Sequence, residues 1–194
     1  GMRAVVQRVA RASVTVSGDV VAAIGPGLVC LVGIAREDDG DDVDYVCKKI
    51  LKTRMFPQAE DEGGQRRREW DLNVVQRGLE ILLVSQFTLQ SDLGRKGTRP
   101  DFSGAMPPDQ ARDVYNGLVS AVSQAHGEPD KVRSGMFGAT MDVELVNRGP
   151  VTFIVDSSRR RKATKMRATA VRGCGTRRSG ALGSTWKRRM PCLM

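Results

Sequence analysis

Along the first third of the chain, apolar positions first alternate with polar ones and then run together. Arg3–Val9 carries Ala4, Val5, Val6 and Val9, and Ala12–Val16 alternates apolar residues with Ser and Thr. Ser17-Gly18-Asp19 leads as a turn into Val20–Ile24, so the pattern predicts an antiparallel hairpin. Gly25-Pro26-Gly27 breaks it. Leu28–Ile34 is then a continuous apolar run, the pattern of a strand buried on both faces. Val43, Val46, Cys47, Ile50 and Leu51 fall at i, i+3, i+4, i+7 and i+8, which predicts a helix capped by Asp41 or Asp42.

Farther on, residues 60–69 are polar and charge-segregated and read as a mobile surface loop. Leu79–Leu89 predicts a second buried strand, and Gly94–Gly104 a basic, Gly-rich loop. A second helix opens at Pro107-Pro108, with proline tolerated in its first turn, and buries Ala111, Val114, Tyr115, Leu118 and Val122. Phe137–Val146 and Val151–Val155 are predicted as closing strands, split by Asn147-Arg148-Gly149-Pro150. The expected body is a single α+β domain over residues 2–156, in which strands outnumber the two main helices. Gly1, standing before Met2, is left out of that domain.

Charge separates this body from the rest of the chain. The formal net charge is +9, yet residues 1–156 hold 19 Lys+Arg against all 22 Asp+Glu, a net of −3. Residues 157–194 hold 12 Lys+Arg and no acid. There periodic hydrophobicity stops, and such a composition buries too little apolar surface to offset the entropy of ordering it, so a disordered basic extension is expected. No apolar run approaches the ~18 residues that span a bilayer. Arg3, Arg8 and Arg11 interrupt any signal-peptide profile, and a soluble, cytoplasmic protein is expected. Cys30, Cys47, Cys174 and Cys192 form no CxxC pair and there is one histidine, so neither a structural zinc nor another cofactor is expected.

Elimination narrows the chemistry. His126, at the end of the second predicted helix, is the one candidate for a triad base, but no nucleophile motif accompanies it and it reads as a surface residue. No P-loop or dinucleotide fingerprint is present. Two polar interruptions remain. In Val84-Ser85-Gln86-Phe87-Thr88-Leu89, a strand would put Gln86 and Thr88 on one face, although a strand emerging into solvent accounts for the same pattern. Asn147-Arg148-Gly149-Pro150-Val151-Thr152 places Gly-Pro between two strands, where a tight turn or a cis bond occurs.

Taken with other collinear segments, these two interruptions resemble the D-aminoacyl-tRNA deacylase family over most of residues 2–155. The opening Met2–Val14, Ser85–Leu89 as SQFTL, Gly97–Ser103, Gly135–Ala139 and Asn147–Thr152 as NxGPVT match in order and spacing, while Arg148 stands where Asp is commoner. The resemblance implies a mixed, barrel-like β-sheet packed by two main helices, and a homodimer with its active site at the subunit interface. It implies hydrolysis of the ester of D-aminoacyl-tRNA, which binds by its 3′-terminal adenosine and amino acid; removal of mischarged glycine stays open. Ser85, Gln86, Phe87 and Thr88 would form the reacting centre. A cis Gly149-Pro150, oriented by Arg8, would face the partner's substrate, and Phe137, Gly138 and Met141 would line the adenosine pocket. Either Thr88 attacks, or the terminal 2′-hydroxyl of the tRNA assists a water. Two competing readings are a non-catalytic RNA-binding module that uses the basic tail and a purely structural dimer-forming domain. The first sits poorly with a body of net −3, and the second leaves the joint match of motifs unaccounted for.

Overall fold

A computed structural model describes residues 1–58, 69–94 and 98–160. Its elements run in the order β1 (Arg3–Val16), β2 (Asp19–Ile24), β3 (Gly27–Gly33), α1 (Gly40–Lys52), β4 (Glu80–Ser85), α2 (Pro108–His126), β5 (Val132–Ser134) and β6 (Asp142–Asp156). One sheet holds all six strands. β2-β1-β3-β4-β5 is the main path, and β6 pairs with β1 along that strand's other edge. β1–β3 is antiparallel, whereas β3–β4 and β4–β5 are parallel. The result is the expected mixed α+β domain.

β1 organises the sheet because it is long and changes face midway. Its first half pairs with β3 and its second with β2, while β6 follows nearly its whole length. The β1–β6 register slips between Gln7 and Val9 and again between Val9 and Arg11. Such bulges bend a strand and exchange its inner and outer faces. Accordingly Ala4 and Val6 enter the core beneath the helices, whereas Val9, Ala12 and Val14 enter a second core on the opposite face, with Ile24, Val29, Leu82 and Val84. The curled half of the sheet thus closes over itself in a barrel-like way.

Each helix is amphipathic for the reason its spacing gives. α1 buries Val46, Cys47, Ile50 and Leu51, and α2 buries Ala111, Tyr115, Leu118 and Val122. At ~1.5–3 kcal/mol for each large apolar side chain buried, these stripes dock the helices on the sheet. The cap of α1 differs from expectation. Asp39 is the N-cap and accepts from the Asp42 N–H, while the Asp42 carboxylate accepts from the Asp39 N–H. That reciprocal pair forms a capping box two or three residues before the expected cap.

Four other expectations need correction. The strand predicted over 79–89 stops at Ser85, and Phe87–Gln90 is a 3-10 turn. The closing strands are one strand, β6, which begins at Asp142 and runs through Asn147–Pro150 as an irregularity in its pairing with β1. β5, three residues long, escaped the periodicity. His126 is buried, with Nε2 2.9 Å from the Leu79 carbonyl oxygen, so it ties the end of α2 to the start of β4. The 60–69 loop lies almost wholly outside the described residues, as do residues 161–194. Ser157–Arg160, by contrast, packs on the body: the Ser157 side chain is buried and its N–H donates to the Met2 carbonyl. Gly1 also takes part, its carbonyl accepting from Gln90 Nε2.

Candidate active site

The 3-10 turn after β4 is created by a collision avoided. Gln86 N–H donates to the Val32 carbonyl at 2.7 Å, which extends the β3–β4 ladder by one bond. The chain then turns over Gly33. A Cβ at Gly33 would stand 2.7 Å from Leu89 Cβ and 2.8 Å from the Gln86 carbonyl oxygen, so only glycine lets the turn sit so close. Two long side chains fasten it there. Buried Gln90 donates from Nε2 to the Gly33 carbonyl at 2.8 Å, and Arg3 Nη1 donates to the Leu89 carbonyl, also at 2.8 Å. Gly33, Gln90 and Arg3 went unnoticed in the sequence because their part depends on strands far apart in the chain.

Ser85, Gln86, Phe87 and Thr88 therefore stand on a rigid shelf at the carboxyl end of β4. Leu89 N–H bonds back to the Gln86 carbonyl. The leading N–H groups of a helical turn have no acceptor inside it, so those of Phe87 and Thr88 are left to bind something else. Gln86 and Thr88, expected on one face of a strand, still meet: Gln86 Nε2 donates to Thr88 Oγ1 at 2.5 Å. Phe87 is 59% exposed and meets Phe102 edge-on, with ring centroids 5.0 Å apart. The turn that presents Phe102 is held by Asp101, whose carboxyl accepts from the Ser103 N–H and hydroxyl. Those two bonds hold it below the usual aspartate range.

β5 brings the next group alongside. It lies parallel to β4, and Gly135 N–H donates to the Leu83 carbonyl at 2.9 Å, so residues 135–141 emerge beside Ser85. Phe137 rests on buried Tyr115 at 5.6 Å between ring centroids, with the Arg112 guanidinium 5.5 Å from its own ring centre. Burial pushes the Tyr115 phenol up, so it stays neutral as a floor for Phe137. Gly138 has φ +80°, a left-handed turn that suits glycine. Met141 lies against Gly135, where a Cβ would come 2.9 Å from the sulfur.

Gly149-Pro150 stands elsewhere. Its peptide bond is cis, as the motif suggested, and Gly149 has φ +126°. A Cβ there would strike Val151 Cγ2 at 2.7 Å and Arg8 Nη2 at 2.9 Å. Arg8 donates from Nε to the Arg148 carbonyl at 3.1 Å and from Nη1 to the Met55 carbonyl at 2.7 Å. Asn147 adds a clamp, its Oδ1 accepting from Val151 N–H and its Nδ2 donating to Thr152 Oγ1. Arg8 is five residues along β1 from Arg3, the residue that touches Leu89, which is ~17 Å at the usual strand rise. Within one chain the two signatures do not meet. A cavity of about 480 Å³ opens at the Gly-Pro end, lined by Arg8, Arg77, Arg148, Gly149, Phe56 and Leu79 among others. Among the described residues that line it, none carries a hydroxyl.

This architecture, with both motifs on it, defines a class. Residues 5–156 match the D-Tyr-tRNA(Tyr) deacylase family, and the chain belongs to that family. Among its relatives are mouse D-aminoacyl-tRNA deacylase 1, 45% identical over 80% of this chain and 70% of its own, and the D-aminoacyl-tRNA deacylase of Azotobacter vinelandii, 44% identical over 80% of this chain and all of its own. The solved structure of a c-Myc DNA Unwinding Element Binding Protein is similar at a TM-score of 0.71 and 43% identity, over 80% of this chain and 98% of that one. A probable eukaryotic D-amino acid tRNA deacylase shares the fold at a TM-score of 0.67 and 16% identity, over the same shares.

Proposed function

We propose that this protein hydrolyses the ester that joins a D-amino acid to its tRNA, releasing free tRNA and D-amino acid. One observation carries the reading beyond family membership: Phe87 and Thr88 open a 3-10 turn, so their N–H groups have no acceptor inside it, and they stand beside an exposed aromatic. Water attacking an ester carbonyl creates an oxyanion, and a single well-aimed N–H donor is typically worth ~3–4 kcal/mol to that transition state. Phe137, Gly138 and Met141, emerging beside Ser85, suit the terminal adenosine.

Thr88 is the less suitable nucleophile. Its hydroxyl oxygen accepts from the Gln86 amide, which cannot act as a base, and activating a threonine requires one. The terminal 2′-hydroxyl of the tRNA, adjacent to the ester, is the better helper for the water.

Chiral selection needs a second surface, and the ~17 Å along β1 between Arg3, which touches one signature, and Arg8, which touches the other, favours supplying it from a partner copy. Among the described residues β6 pairs along one edge only and exposes Val146, Phe153 and Ile154, with Trp70 edge-on to Phe153 at 5.9 Å. An open, apolar edge of this length invites a second strand. In a homodimer built there, Gly149-Pro150 of one subunit would wall the other's site with main-chain atoms. A main-chain wall rejects an L-residue whatever its side chain, a specificity built on clash. The domain of 2–156 does this work in the cytoplasm, where charged tRNA is used; no described helix is long and apolar enough to cross a membrane.

Release of D-tyrosine against L-tyrosine from charged tRNA tests the reading. Preferential release of the D-form is expected. Equal release, or none, would overturn it.

A further inference from the structure

One arginine stands at the rim of the floor that carries Phe137. α2 buries Ala111 and Tyr115 one turn apart, and Arg112, the residue after Ala111, is left exposed on the flank of the helix. Its guanidinium carbon lies 5.5 Å from the centre of the Phe137 ring, and that ring rests on buried Tyr115. Asp109 and Asp113 occupy the same stretch of α2, yet among the described residues no carboxylate pairs with Arg112. A guanidinium held against an aromatic ring keeps its plane while its N–H edges stay open to an anion. It also has less rotamer freedom to lose when it binds one. Arg112 is therefore a preorganised cation whose donors no described acid takes up.

Two main-chain bonds fix this arginine relative to the shelf. Gly135 N–H donates to the Leu83 carbonyl at 2.9 Å, so Phe137 follows that level by two residues, as Ser85 does on β4. Met106 N–H donates to the Ile34 carbonyl at 3.0 Å, and α2 begins two residues later, at Pro108. Ile34 follows Gly33, the residue over which the 3-10 turn folds. The helix that carries Arg112 thus starts beside the shelf, and Arg112 stands four residues along it, ~6 Å of helical rise.

We propose that Arg112 holds the phosphodiester that joins the terminal adenosine of the tRNA to the nucleotide before it. The proposal rests on the deacylase reading, in which the adenosine lies at Phe137, Gly138 and Met141 and its ester at Phe87 and Thr88. The ester sits on one side of that ribose and the phosphodiester leaves from its 5′ carbon on the other. That phosphate is the first charged group of the RNA beyond the ester. A planar guanidinium offers paired N–H donors that match two phosphate oxygens. The body of residues 1–156 is net −3, so attraction for RNA at this corner comes from a placed cation rather than from the field of the whole domain.

The test compares two D-tyrosyl esters, one of adenosine and one of cytidylyl-(3′→5′)-adenosine, which differ by one phosphodiester and its nucleoside. With the full chain, kcat/KM for the dinucleotide ester should exceed that for the adenosine ester about tenfold, the scale of a hydrogen bond to a charged group. Arg112→Gln should bring this ratio close to one. It should also make the log–log salt slope on the dinucleotide ester shallower by about 0.7, the loss of one phosphate contact. Any slackening of Phe137 acts on both esters alike and cancels in the ratio. Arg133→Gln, which removes the same charge from an exposed position on β5, should leave the ratio at the value of the full chain. A ratio near one in the full chain, or one that Arg112→Gln leaves unchanged, would overturn the proposal. So would an equal fall in Arg133→Gln, because the effect would then be one of overall charge. If the unaltered chain cleaves neither ester, the deacylase reading falls instead. Equilibrium binding of cytidylyl-(3′→5′)-adenosine and of adenosine then decides the phosphate contact alone, with the dinucleotide expected to bind more tightly only where Arg112 is present.

Discussion

Gln86 donates a 2.5 Å hydrogen bond from its side-chain amide to the hydroxyl oxygen of Thr88. The bond orients Thr88 while leaving it without a base, and the N–H groups at 87 and 88 belong to the main chain, which substitution does not remove. Thr88→Ala should therefore keep activity within about tenfold, whereas a D-tyrosyl-tRNA ending in 2′-deoxyadenosine should lose far more; general acid–base assistance of this kind is typically worth ~10²–10⁴. Single-turnover rates for the two cases decide it. A dead Thr88→Ala enzyme that cleaves the deoxy substrate well would make Thr88 the nucleophile.

Gly33→Ala should be severe for its size. The new methyl meets Leu89 Cβ and the Gln86 carbonyl oxygen below 3 Å, so the turn must shift. A shift of about 1 Å at a reacting centre costs ~10²-fold in rate, and overpacking costs ~1–3 kcal/mol of stability. A folded variant with kcat/KM down about 100-fold, and KM for tRNA moved much less, is the expected outcome. Wild-type kinetics would show that the turn does not set the site.

Arg8→Lys tests the Gly-Pro mount. Lysine keeps the charge but cannot reach the Met55 and Arg148 carbonyls in the same fork. Discrimination between D- and L-tyrosyl-tRNA should fall, mainly because the L-substrate is cleaved faster, while the rate on the D-substrate changes little. Sedimentation should give a species of twice the 21.2 kDa chain mass for both proteins. A monomeric wild type with full chiral discrimination would rule out a shared pocket.

Acid should loosen the end of β6. Burial raises the Asp156 carboxyl, but the hydrogen bonds from Ser158 and the nearby Arg3 outweigh it and hold the group below the usual aspartate range. A depressed folded-state value means the contribution to stability is complete above the unfolded value of ~3.9 and fades as pH falls through the folded one. The stability gap between wild type and Asp156→Asn should therefore be constant near neutrality and close below about pH 4. Urea midpoints across the acid-to-neutral range measure it, and a gap that persists at the acid end would contradict the assignment.

Cys30 and Cys47 should resist alkylation in the folded protein. Burial pushes both thiols up, and the thiolate is the reactive form. Peptide mapping after iodoacetamide treatment should show both modified only once denaturant is added. Labelling of Cys30 in the native state would reveal opening of the core.

Local pattern was enough for the two helices and the buried run of β3. Val46, Ile50, Tyr115 and Leu118 face the core because helical spacing puts them there, and collinear motifs identify a family wherever the chain happens to fold. Periodicity reports only how each residue faces relative to its near neighbours. Whether Val84-Ser85-Gln86 continues as a strand depended on Val32 and Gly33, some fifty residues earlier, which accept one more ladder bond and then leave room for a turn. Asn147–Pro150 reads as a turn in sequence, yet β1 lies alongside it from Arg3 to Thr15 and holds the chain in one strand. His126 is polar by type and buried by position, because the Leu79 carbonyl needs a partner where α2 meets β4. Long-range pairing likewise set Gly149-Pro150 and Ser85–Thr88 apart in one chain. That distance comes from the register of β1 against β3 and β6, a match between segments that no local pattern encodes.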